Sequence, residues 1–466
     1  MSYGPGSIAA RLRYINQQSL SEITEIFGPW IDLPETFGPP GRRRLFCPLS
    51  RTFWLFLSEV LSADRSCRET VRKALAWLAL KTGKTASPNT AAYCKARARL
   101  ILEDIDAVRH QTAKRIQDLY AGRYLWYGRQ VKIIDGTGLS MPDTPANQAA
   151  WPISNRTKPG CGFPVMRVVA LFSLAAGLIL DVAKGTLKND ERSLARSLWH
   201  RLVPGDVLLA DRGFCSYADF YYLSLQGVDC VMRNHHRRTK GLSVLRKISK
   251  GDQLIAWYKT TSRPKWLNPH KWQAMPRTLN LREISFRVGI PGFRTKAITV
   301  VTTLLDHKAH PEQAFIDLYR SRWMAELFLR DIKTTMGMDI LKCKSPEMIH
   351  KEISMYLIAY NLIRALMLEA ANRHGVSPCR LSFKGTIATL RQWAPVIGAA
   401  RMEDNHQEAL IEILLAYLAR DLLPYRPNRL EPRARKRRPK NYQLLTKPRG
   451  LFKEIEHRNR YKMRLS

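Results

Sequence analysis

The stretch YRSRWMAELFLRDIK, Tyr319 to Lys333, decides how the rest of the chain is read. It holds neither Gly nor Pro, and at about 100° per residue it forms a helix with two unlike sides. Tyr319, Arg322, Glu326, Arg330 and Lys333 fall within an arc of roughly 80°. Met324, Ala325, Leu327, Phe328 and Ile332 lie on the opposite side, which suits packing on a core. One carboxylate therefore stands among a tyrosine and three cations. Two readings are open. In one, the face is solvated and held by the i,i+4 pairs Arg322–Glu326 and Glu326–Arg330. In the other, Glu326 binds a metal and its neighbours grip phosphates.

Upstream, two isolated acids shift the balance. Val131–Ile134 and Val207–Ala210 are short apolar runs that read as strands, and each is followed by an aspartate, in IIDGTG (Asp135) and LLADRG (Asp211). Strand-end acids converge on one edge of a sheet, and hard oxygen ligands there suit Mg²⁺. Two ions shared by such carboxylates activate a water or a 3′-hydroxyl and stabilise the leaving oxygen of an in-line phosphodiester attack. Asp143 is an alternative first ligand, but it follows Pro142 and reads as a turn residue.

The charge agrees with a polyanionic substrate. The 466 residues carry 76 Lys+Arg against 39 Asp+Glu, a net of +37, and 45% hydrophobic content rules out a disordered basic arm. Nucleic acid is the expected partner and an anionic membrane surface the rival. Residues Pro424–Ser466 hold 15 basic and 3 acidic side chains, so most of the excess is spread over folded segments. The N-terminus lacks the apolar core of a signal peptide. The longest apolar run, Val168 to Leu180, is broken by Ser173 and Gly177 and is too short to span a bilayer. The eight cysteines form no CxxC pair, so no membrane and a reducing cytoplasm are expected.

Outward from these motifs, helices are predicted at Phe53–Val60, Thr70–Lys81 and Asn89–Leu100, the last opened by Ser87-Pro88. Lys95, Arg97 and Arg99 decorate it, and the pair around Gly83 reads either as a helix-turn-helix or as an ordinary helical pair. Val165–Leu174 and Leu178–Lys184 flank a hairpin at Ala175-Ala176-Gly177, and a helix is expected over Asn189–Leu202. Further strands fall at Val228–Arg233, Leu254–Tyr258, Glu283–Val288 and Ala297–Leu304, and helices at Glu347–Asn372 and Glu403–Leu423. The run EPRARKRRPK belongs to a basic, Pro-rich tail. Several side chains carry two readings: Arg212 touches DNA or only neutralises acids, and Trp323 stacks on an unpaired base or packs at the helix border. Trp266 and Trp272 are further candidates for base contact. His235-His236 show no ligand spacing.

At this point the chain resembles a family. Tyr319, Arg322, Glu326 and Lys333 reproduce Tyr-x2-Arg-x3-Glu-x6-Lys, the signature of DDE transposases of the insertion sequence four (IS-four) family. DGTGLSMPDTPAN around Asp135, ADRGF around Asp211, KEISMYLIAYNLIR and EPRARKRRPKNYQLLTKPR are similar to the family too, so the resemblance runs from about residue 45 to the end. It implies an α/β fold, a ribonuclease H-like catalytic core split by a β-rich insertion, with helical N- and C-terminal regions. The implied division is a DNA-binding region at 1–124, core at 125–214, insertion at 215–305, core again at 306–375 and a C-terminal helical region with the tail at 376–466. Asp135, Asp211 and Glu326 would be catalytic metal ligands for two Mg²⁺, with Mn²⁺ as a substitute. Tyr319, Arg322 and Lys333, joined by Arg330, Arg212 and Trp323, would bind DNA. The implied activity is cut-and-paste transposition through a hairpin intermediate, by a homodimer holding double-stranded terminal inverted repeats and target DNA near the nucleoid. A non-catalytic DNA-binding derivative and a structure-selective nuclease on the same core are the alternatives. On any of these readings DNA affinity should fall linearly on a log–log plot against salt, which a titration at several salt concentrations checks.

Overall fold

Strands that read as unbroken apolar runs belong to a sheet covered on both faces, and the computed structural model bears this out. It describes residues 23–33, 48–153, 162–234, 242–287, 297–400, 406–424 and 451; His235-His236 and nearly all of the basic tail lie outside these. The fold is mixed α/β. Nine strands are β1 (Val131–Ser140), β2 (Val165–Ser173), β3 (Ile179–Gly185), β4 (Val207–Ala210), β5 (Asp229–Arg233), β6 (Leu242–Ser249), β7 (Asp252–Tyr258), β8 (Thr278–Arg287) and β9 (Ala297–Thr302). They form one sheet in the order β3-β2-β1-β4-β5-β9-β8-β7-β6. β1, β4 and β5 run parallel, and the remaining pairings are antiparallel. The β-rich segment after Asp211 thus continues the same sheet through β5 and β9.

Alternation sends Val131, Ile133, Val207, Leu209 and Val231 to one face, where the helices of the second half pack. Ile134, Leu208, Ala210, Cys230 and Met232 go to the other. The principal helices are α1 (Leu49–Leu61), α2 (Cys67–Thr82), α3 (Ala91–Arg99), α4 (Leu102–Leu119), α5 (Glu191–Arg196), α6 (Tyr217–Leu225), α7 (Glu312–Ser321), α8 (Trp323–Arg330), α9 (Pro346–Arg373), α10 (Phe383–Ala399) and α11 (His406–Arg420), besides other short helical segments such as Pro145–Ala150 and Pro269–Ala274.

Several expectations need correction. The helix over 319–333 is not uniform: it tightens to i→i−3 bonds at Arg322 and Ala325, then widens to a π turn over Asp331–Thr335. No residue in it breaks a helix, so the cause is tertiary, and such π turns mark places where a side chain is re-aimed. Asp135 does not end its strand. β1 stays paired to β2 as far as Ser140↔Val165, while its pairing with β4 stops at Ile133↔Leu209. The third N-terminal helix starts at Ala91, where Asn89 Oδ1 accepts the Ala91 N–H at 2.8 Å, and not at the Ser87-Pro88 cap. Arg97 does not decorate its outer face: it turns inward to Glu59 at 2.6 Å over the Phe56 ring. The connection Gly83–Thr90 is also longer than the roughly three- to four-residue turn of a helix-turn-helix. The helix predicted over 189–202 is a short α5 followed by a tighter turn at Trp199–Arg201. α6 went unpredicted, and β6 and α10 lie in stretches read as β-rich and helical without bounds of their own.

α9 is, among the described residues, the one helix long and apolar enough to cross a membrane, yet 94% of its apolar window is buried inside the fold. Its polar residues are spent on backbone. Asn361 donates to Ile179 O and accepts from Ile179 N–H, both at 2.9 Å. Tyr360 donates to Gly177 O at 2.7 Å, and Arg364 to Ala176 O. Gly177 (φ +67) makes the hairpin turn, and these bonds satisfy the backbone of the turn and the start of edge strand β3. Replacing Asn361 by Leu should therefore cost about 1–3 kcal/mol for orphaned buried groups, read as a lower urea midpoint.

Candidate active site

Register places the first two acids. Ile133 pairs with Leu209, so two residues further along these parallel strands Asp135 and Asp211 stand side by side. Both share the face of Ile133 and Leu209, the face that α8 covers. Each carboxylate is steadied by local backbone. Asp135 Oδ1 accepts the Gly136 N–H at 2.8 Å, and Asp211 Oδ1 the Gly213 N–H at 2.6 Å. A Cβ on Gly213 would sit 2.9 Å from Asp211 Oδ1, which accounts for glycine in ADRG; one on Gly136 would meet the Glu191 carboxylate at 3.0 Å.

α7 and α8 bring the third acid over this edge. Arg322 Nη2 donates to Glu326 Oε1 at 2.8 Å, and its Nη1 lies 3.9 Å from Asp135 Oδ2. The guanidinium, 18% exposed, stands between two of the three carboxylates. Burial pushes the Asp135 carboxyl up to about 6, opposed by the Gly136 N–H and Arg322 and reinforced by Asp211 and Glu326. Tyr319 is buried beside them, and burial lifts its phenol to about 12 against the pull of Arg322 and Arg233. Lys333, on the π turn, donates to Thr137 Oγ1 of β1 at 2.7 Å. Tyr319, Arg322, Glu326 and Lys333 therefore gather along the Asp135 strand, as the wheel placed them.

The remaining candidates lie further out. The Arg330 side chain is 61% exposed, with Asp331 as its near acid at 3.9 Å. Arg212 and Trp323 are exposed, and Trp323 keeps 47% of its surface open to solvent. Trp266 is exposed and stacks on the Arg196 guanidinium at 3.8 Å, whereas Trp272 is buried beneath Lys259 and is a core residue, not a base contact. Asp143 accepts a hydrogen bond from Gln148. Sequence reasoning missed Thr137 and Arg233. The signal for Arg233 was its position at the end of the apolar run VMR, the counterpart in β5 of Asp211 after β4.

The donor chemistry of the three carboxylates suits a hard divalent cation. Among the described residues, though, no group of three or more His, Cys, Asp or Glu is close enough to hold an ion as it stands. Arg322 supplies positive charge where two of them meet.

A profile of the family described as "Transposase DDE domain" matches residues 126–362, which include every one of these groups. The chain is 28% identical over 404 residues to the transposase InsG for insertion sequence element IS4 of Escherichia coli (strain K12), covering 86% of this chain and 87% of that protein. Among solved structures, a piggyBac transposase synaptic complex with hairpin DNA aligns at a TM-score of 0.43 and 9% identity, covering 89% of this chain and 85% of that one. The chain belongs to the DDE transposases, in their insertion-sequence-four family, and its activity is DNA transposition.

The raised Asp135 carboxyl has a measurable consequence. It binds its proton more tightly folded than unfolded, so the protein gains stability as pH falls from about 6 towards the unfolded value and loses it as pH rises through 6. Asp135→Asn should stabilise the metal-free protein at pH 8 by on the order of 1–3 kcal/mol, and by much less at pH 4. Thermal unfolding at the two pH values checks it.

Proposed function

We propose that this transposase works by cut-and-paste transposition on a ribonuclease H-like core. The order β3-β2-β1-β4-β5, with a leading antiparallel hairpin followed by parallel β4 and β5, supports that core. Residues 125–214 and 306–375 form its two parts, 215–305 the β-rich insertion, 1–124 the DNA-binding region, and 376–466 the C-terminal region and tail. One observation carries the reading: Ile133 and Leu209 are paired two residues before Asp135 and Asp211, and Arg322 links Glu326 to Asp135.

In this reading Asp135, Asp211 and Glu326 hold divalent metal, Mg²⁺ with Mn²⁺ as a substitute, as two ions. The metal supplies Lewis-acid activation of the attacking hydroxyl and stabilisation of the leaving oxygen. The chain's own groups orient the substrate. Arg322 and Lys333 offer cations, and Tyr319 a phenolic O–H that burial keeps protonated, to phosphates flanking the scissile bond. Arg330 and Arg212, both exposed, extend this grip along the duplex, and Trp323, exposed next to Arg322, offers a stacking face to an unpaired base. Such a face suits the distorted end of a hairpin intermediate. Two protomers would hold paired transposon ends and target DNA, acting on the nucleoid.

The test is nicking of duplex carrying the element's terminal repeats, with Mg²⁺. Glu326→Gln should lose cleavage by at least a thousandfold while binding the same duplex with nearly unchanged salt dependence. Equal cleavage by the two proteins would falsify the assignment.

A further inference from the structure

Asp135 and Asp211 belong to a row that does not stop at β4. Ala210 pairs with Met232 of the parallel strand β5, so the next residues, Asp211 and Arg233, stand side by side. Neighbouring strands lie about 4.8 Å apart, which puts Arg233 one strand beyond Asp211 and two beyond Asp135. Its face follows from alternation. Val231 packs in the core beneath α7 and α8, while Met232 packs in the opposite one, so Arg233 projects with Val231 towards the catalytic helices. On the antiparallel side Arg233 pairs with Val300, which also packs in the core beneath those helices.

Two further observations concern its charge. Arg233 is among the cations that act on the buried Tyr319 phenol, together with Arg322, so it faces the centre of the site. No hydrogen bond or ion pair engages its half-buried guanidinium among the described residues. The neighbouring cations each spend part of their donors on the protein, Arg322 on Glu326 and Lys333 on Thr137, and Arg282 is closed on Asp252. A half-buried arginine with donors to spare, beside a row of acids, is held for an anion from outside.

We propose that Arg233 is a further substrate-binding residue of the transposase: its guanidinium takes a DNA phosphate on the Asp211 side of the scissile bond, opposite the Arg322–Lys333 side. The DNA strand would then cross the carboxylate row between two cationic banks. The geometry suits a guanidinium better than an ammonium, since a planar fork can hold two phosphate oxygens at once. This deepens the proposed site but is tested apart from it, because binding is read without divalent metal.

The probe is a duplex ending in the element's own terminal repeat, titrated at several salt concentrations. Arg233→Gln should lower the log–log salt slope by about one, the signature of one lost phosphate contact. A scan of single methylphosphonate substitutions along both strands should show one phosphate near the cleavage point whose neutralisation weakens the wild type but not the Gln variant. If Arg233→Gln fails to fold by circular dichroism, Arg233→Lys decides: it should keep the slope and lose part of the methylphosphonate penalty at that same phosphate. An unchanged slope and scan in a folded Gln variant, or an unchanged scan in the Lys variant, overturns the proposal. Nicking by Glu326→Gln, whether lost or kept, bears on the carboxylates alone and leaves the Arg233 contact to the binding data.

Discussion

Three residues of parallel pairing, Val131–Ile133 against Val207–Leu209, fix where the site's charged groups stand. Parallel strands hold corresponding residues level, so the acids that follow these runs are neighbours without any loop having to aim them. A one-residue slip would send one carboxylate to the opposite core, where burial without a partner is costly. The slip is resisted by the apolar residues themselves, because Ile133 and Leu209 fill one core while Ile134 and Leu208 fill the other. Packing energy is thus what secures the catalytic register.

The helix that completes the site is held at both ends of its working face. Arg322 approaches Asp135 of β1 at 3.9 Å, and Lys333 reaches Thr137 on β1. Beyond the π turn, Arg65 donates to the carbonyls of Met336 and Gly337, and Lys342 returns to the carbonyls of Asp64 and Arg65. Lys351 bonds Ala98 O at the end of α3, and Glu352 accepts the N–H groups of Lys342 and Cys343. The N-terminal helices are therefore tied to the stretch directly following the Glu326 helix.

Clustered charge also explains why the site is electrostatically unsettled. Asp135 sits above its ordinary acidity because burial and two acids outweigh one arginine and one N–H. Holding like charges together costs stability, which the surrounding cores supply. The buried pairs elsewhere behave differently. Arg282–Asp252 and Lys132–Asp206 are closed, matched and nearly inaccessible, and they tie strands and loops together.

The sequence by itself determined the strand runs before Asp135 and Asp211, the one-sided helix from Tyr319 to Lys333, the hairpin at Gly177 and the four-residue signature, because period and spacing are local properties. It also exposed the basic excess that suits DNA. It could not show that β1 continues past Asp135, that β5 to β9 extend the same sheet, or that Arg97 and Trp272 turn inward, since each depends on a partner distant in the chain. Arg233 is the sharpest case: in sequence it is one basic residue among 76. Only parallel pairing of β5 with β4, and the alternation that points Arg233 to the same face as Asp211, makes it a neighbour of the acids. Local periodicity fixes which face a residue takes on its own element, but the position of that face relative to others is set by long-range pairing and burial.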